Sequence, residues 1–158
     1  RYNKKLVVMD EDERNNGETD TKDNIIPITI FKQDYREMLV REVNGISFCE
    51  HHLVPFTYTA YVGIIPNDKL LGMNKIDKIV KYFGAGLQIQ ERLVKEIVDE
   101  LEKELQPKGI AFVMKGRHLC KEMRGIKMIN GEMITSDMRG VFRDSLSTRE
   151  EFINLIKK

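Results

Sequence analysis

Scarcity is the most informative property of this sequence: 158 residues contain no tryptophan, four prolines, three histidines and two cysteines. Two cysteines cannot make a disulfide framework, so the default setting is reducing and cytoplasmic, with thiols free for chemistry or metal; one disulfide between them is the competing reading. Net charge is scarce as well. The 26 basic and 25 acidic side chains leave +1, which argues against a nucleic-acid protein that relies on bulk positive charge. No apolar run is long enough to span a bilayer, and no charged start leads into an apolar secretory segment. The chain opens on Arg1, which leaves room for a segment upstream. What is present, 41% hydrophobic residues over this length, suffices for one domain with a real core.

The pattern along the chain predicts strands, then helices, then strands and a last helix. Lys5–Met9 reads as a short strand, followed by an exposed acidic loop at about 10–24 with nothing to bury. Ile25–Phe31 is β-branched, with Pro27 marking an edge or a strand start. "EVNGISFC" (42–49) and "TYTAYVGII" (57–65) read as neighbouring antiparallel strands, the second ending at a Pro66-Asn67-Asp68 turn. Asn74 is placed to cap a short helix with Asp77 in its first turn, ended by Gly84-Ala85-Gly86. From Leu87 to Leu105, apolar residues at Ile89, Leu93, Val94, Ile97, Val98, Leu101 and Leu105 keep the helical period. Pro107 and Gly109 stop it, "GIAFVMKG" starts a strand, and "RGIKMING", "EMITS" and "GVFR" are shorter strand candidates. Ser147-Thr148-Arg149-Glu150 has the form of a capping box for a final helix that buries Phe152, Ile153 and Ile156. This order is α+β with a mainly antiparallel sheet packed against helices, without internal repeats.

Every histidine and cysteine falls in one of two clusters, "CEHH" at 49–52 and "HLC" at 118–120. Cys49 and His52 have a spacing that lets both reach one ion from a turn, and Cys120 can supply a third ligand. With no further cysteine, a Cys2His zinc site with one position open to water fits the inventory better than a closed structural site, and the open position is what chemistry requires. His51 and His118 are left over. An imidazole beside such a centre suits proton transfer, while the plain alternative makes either one a supporting or surface residue. Lys75 and Lys78 lie three apart on one predicted helix face, and Arg124 follows the second cluster; together they can hold a polyphosphate, or the lysines can simply be a solvated face. Glu91, with Gln90 beside it, offers a carboxylate able to accept from two adjacent N–H donors such as those of guanine, although a helical Glu is ordinarily a surface residue.

"CEHHLVPF", "LQIQERL", "RHLCKEMRG" and "TREEF", in this order from about Glu42 to Lys157, resemble the GTP cyclohydrolase I family. The resemblance implies the tunnelling fold, small antiparallel sheets joining around a barrel in a homodecamer with active sites shared between subunits. It divides the chain into an N-terminal segment, 1–41, and a catalytic region, 42–158, within one structural domain. It implies Cys49, His52 and Cys120 as ligands of one zinc ion per subunit, and His51 and His118 as catalytic histidines. Glu91 would recognise guanine with Gln90 beside it in the substrate pocket as a further substrate-binding residue, and Lys75 and Arg124, with Lys78 and Asn74, would meet the triphosphate. The implied reaction turns GTP into 7,8-dihydroneopterin triphosphate and formate, without nucleic-acid or membrane partners. Three positions depart from the family pattern: Asn74 stands for Ser, Lys78 for Arg, and Gly86 for a basic residue. Lys keeps the charge of Arg and loses its bidentate fork. A non-catalytic zinc-containing nucleotide- or pterin-binding module of the same fold is the alternative these departures raise.

Overall fold

The computed structural model describes residues 30–32 and 34–157. The expected Lys5–Met9 strand, the acidic loop and most of the Ile25–Phe31 strand lie outside them. A five-stranded sheet organises the remainder: β2 (Leu39–Cys49), β3 (Pro55–Ile65), β5 (Leu87–Gln88), β6 (Gly109–His118) and β7 (Glu132–Gly140), in the order β5-β2-β3-β6-β7. All neighbours are antiparallel except β5, which runs parallel to β2. A two-stranded sheet pairs β1 (Ile30–Lys32) with β4 (Lys69–Leu71).

Successive side chains of a strand point to opposite faces; here one face is covered along the sheet, while the other is covered on β3 and β6 and left exposed along β2 at Glu42, Asn44, Ile46 and Phe48. One face carries Val43 on β2, Phe56, Tyr58, Ala60, Val62 and Ile64 on β3, and Ile110, Phe112 and Met114 on β6. Helices α1 (Met73–Gly84) and α2 (Gln90–Leu105) cover it with Ile79, Val80, Leu93, Val94, Ile97, Val98, Leu101 and Leu105. The other face carries Tyr61, Ala111 and Val113 under α4 (Val141–Asp144) and α5 (Leu146–Ile156), which supply Phe142, Phe152 and Ile156. Gly63 faces this second layer because Phe152 occupies the space where a Cβ would stand.

Several boundaries differ from the sequence-based expectation. Helix α1 starts at Met73 with Gly72 as its cap, so Asn74 sits inside the first turn and caps nothing. Asp77 instead binds the Arg41 guanidinium through both oxygens, at 3.2 and 2.7 Å. Leu87 and Gln88 belong to β5, and α2 begins only at Gln90 after Ile89. "RGIKMING" is no strand, because Gly125, Lys127 and Asn130 take left-handed backbone at φ 61°, 49° and 60°. "EMITS" is the first half of β7, whereas "GVFR" leaves the sheet at Gly140 and turns into α4. Ser145 rather than Ser147 caps α5, its Oγ accepting from the Thr148 N–H at 3.3 Å.

Candidate metal centre and substrate pocket

The buried rows of the sheet lead directly to the rare residues. On β2 the inward row runs Val43, Gly45, Ser47 to Cys49, and on β6 it runs Ile110, Phe112, Met114, Gly116 to His118. The candidate centre is therefore where the first core layer reaches the end of the sheet. Between β2 and β3 the chain makes a closed turn: Cys49 N–H donates to Val54 O, Leu53 N–H donates to Cys49 O, and Leu53 takes φ 55°. That turn carries Cys49 and His52 on one side, with His52 Nδ1 3.6 Å from Cys49 Sγ. After His118 the chain enters the short helix α3 (Leu119–Glu122), which returns Cys120 to the same spot.

Ligand atoms of Cys49, His118 and Cys120 all lie within 4.8 Å of one another. Both thiols are free and buried. Burial pushes the Cys120 thiol up and the neighbouring Cys49 adds to it, partly offset by the Arg124 charge, as expected for two sulfurs crowded in a buried setting. Two thiols and an imidazole at this separation are a donor set that suits a tetrahedral, thiophilic ion such as zinc. His52 stands outside this close group of three and is exposed, as is His51, whose ring meets that of His52 edge to face at 6.1 Å.

His118 is the most constrained histidine. Its ring stacks on Phe56, its cross-strand partner, at 4.5 Å and 9°. Its Nε2 is 2.7 Å from Gln90 Oε1. Burial pulls its basicity down and Lys121 does the same, partly offset by Glu91. Gln90, 1% exposed, is aimed inward rather than at solvent. Glu91, next on α2, is exposed and lines a cavity of about 340 Å³ with Thr135, Ser136, Asp137, Arg139 and Arg143. Arg124 reaches back to the metal turn, its Nη2 donating to His52 O at 3.0 Å.

Two contacts had no signal in spacing. Glu50 pairs with Arg92, whose Nε donates to Gln88 Oε1, while the Glu50 N–H donates to Gln88 O; the turn is thereby tied to the start of α2. Phe56 as the stacking partner of His118 needed the β3–β6 register. Asn74, Lys75 and Lys78 are brought elsewhere. The Arg41–Asp77 pair fixes their helical turns beside the start of β2, eight residues and roughly 26 Å of strand before Cys49. Gly86 has a local reason to be glycine: its φ is 109°, which a basic side chain would strain, and its carbonyl accepts from Phe48 N–H and the Ser47 hydroxyl.

A mainly antiparallel sheet that ends in a thiol and imidazole cluster, beside a cavity on a helix start lined by acidic and basic side chains, defines an α+β protein with a candidate metal centre. The chain belongs to the GTP cyclohydrolase I family, whose sequence profile matches residues 4–157. It is 43% identical over 141 residues to GTP cyclohydrolase 1 of Drosophila melanogaster, covering 89% of this chain and 44% of that protein. It is 41% identical over 142 residues to GTP cyclohydrolase 1 of Rattus norvegicus, covering 89% of this chain and 59% of that one. The chain thus spans about half the length of these relatives. Among solved structures, the archaeosine synthase QueF-Like in its apo form shares the fold at a TM-score of 0.56 and 16% identity, over 65% of this chain and 93% of its own.

Proposed function

We propose that this protein is a zinc-dependent GTP cyclohydrolase I of the tunnelling fold, with residues 42–158 as its catalytic region. The observation that carries the reading is the Cys49, His118 and Cys120 cluster at the sheet end, with Gln90 and Glu91 opening α2 beside it. Cys49 and Cys120 would hold the ion together with His52, whose Nδ1 is 3.6 Å from Cys49 Sγ though outside the close group of three, and His118, engaged by Gln90 through one nitrogen, keeps the other for protons. Zinc there supplies Lewis acidity that makes water a nucleophile near neutral pH. The Glu91 carboxylate accepts from the two N–H donors on the Watson–Crick edge of guanine and sets C8 toward the histidines. His51 and His118 hold and move protons while C8 is hydrated, the ring opens and C8 leaves as formate; rearrangement of the ribose then closes the pterin.

The triphosphate falls to Arg124, Lys75, Lys78 and Asn74. Since the α1 residues lie beside the far end of β2 from Cys49, they serve the site of a second copy, which supports a homo-oligomer with shared active sites, a decamer in this family's pattern. No described helix is long and apolar enough to cross a membrane, and the reading takes the protein as cytoplasmic. The test is zinc-replete, assembled protein with GTP: formate and a pterin that fluoresces after oxidation are expected, and GTP left intact after long incubation overturns the reading. His118→Ala should lose turnover while metal analysis still finds zinc.

A further inference from the structure

We infer that Gln90 is a positioning residue whose side chain fixes the tautomer and ring orientation of His118, with Gly116 providing the space for it. The assignment rests on the reading of His118 as a proton-handling group, and on the geometry around one buried amide. Gln90 Nε2 donates to Met133 O at 2.9 Å, to Thr135 Oγ1 at 3.0 Å and to Met114 O at 3.3 Å. Two of those three partners are carbonyls, which only accept, so the amide nitrogen must face them and Oε1 must face His118. An amide oxygen cannot donate. His118 Nε2 therefore carries the proton, and in the neutral ring the lone pair lies on Nδ1.

Gly116 makes this possible. It stands two residues before His118 on the same strand face, and a Cβ there would collide with Gln90 Oε1, the atom that meets His118. Phe56 stacks on the ring and limits its tilt, so rotation about the ring's own axis is what the amide has to prevent. Gln90 acts on chemistry through His118, its amide being engaged by partners within the protein. This separates it from Glu91, one residue on and facing the cavity.

With three histidines in the chain, ring-15N-histidine labelling and magic-angle-spinning NMR of the zinc-loaded assembly can read each tautomer, His118 being assigned by its loss in His118→Ala. Wild type should show His118 protonated at Nε2 only. Gln90→Met should show a tautomer mixture and lower kcat by about 10- to 100-fold, with KM for GTP moving less than about 3-fold. Gly116→Ala keeps every atom of Gln90 and should do the same by displacing it; it carries the test if Gln90→Met does not assemble. Leu101→Ala, a core truncation farther along α2, should lower stability and leave the His118 signals unchanged. An unaltered His118 spectrum in the Gln90 and Gly116 variants overturns the assignment, as does a rise in KM alone. If wild type releases no formate, the functional reading fails, while the spectra still decide whether Gln90 sets the tautomer.

Discussion

At the level of single residues, the cluster holds a Cys120 thiol that burial makes resist ionisation, where the proposed zinc would demand a thiolate. Burial raises the Cys120 thiol, so at neutral pH it is protonated in the metal-free protein, and zinc must displace that proton. Zinc affinity should accordingly rise with pH, and calorimetric titration in buffers of different ionisation enthalpy should register proton release; binding without release would contradict this picture. Spacing and rarity singled out Cys49, His52 and Cys120 as expected ligands; the fold gathers the two thiols with His118, and His52 stands outside that close group. Those two signals did not reveal that His118 lies closer to both thiols than the pattern of ligands suggested, because that depends on how α3 folds back after β6. Nor did they explain Glu50, whose partner Arg92 is 42 positions away and becomes a neighbour only once β2 and β5 pair.

Elements were readable where periodicity ran long. The α2 stripe from Leu93 to Leu105 is buried as expected, since six apolar residues at helical spacing leave the chain few alternatives. Short segments were less readable. "RGIKMING" has strand-like composition, yet its three left-handed residues rule out a pleat, and backbone handedness at Lys127 has no compositional marker. Helix α2 is also stapled to β7 by Arg139, which binds Asp99, Glu102 and Asp137. Hydrogen bonds from Lys95, and then from Arg139, hold the Asp99 carboxyl below its usual range. A carboxyl lowered in the folded state stabilises above its unfolded pKa and loses that contribution as pH falls through the folded value. Melting temperature should therefore fall more steeply on acidification in wild type than in Asp99→Asn, between about pH 5 and about pH 2. Parallel slopes would show that the staple has no role in acid stability.

For the whole molecule, the decisive relation is between the sheet end that gathers the cysteines and the helix that carries the lysines. Helix α1 begins beside Arg41 and finishes near Tyr58, whose hydroxyl fills the space a Gly84 Cβ would need. If Lys75 completes a neighbour's site, a mixture of Lys75→Ala and His118→Ala subunits should regain activity on co-assembly, approaching about a quarter of wild type for random pairing of equal amounts. Separate assemblies of either variant should stay inactive, and a mixture no better than its components would place Lys75 in its own subunit's site. On that reading, the Arg41–Asp77 pair that holds α1 in place would have a reach beyond its own chain. On the proposed reading, a subunit with Lys75 and Lys78 beside one end of β2 and Cys49 at the other would be an incomplete catalyst by itself, so dilution should extinguish turnover while every subunit remains folded.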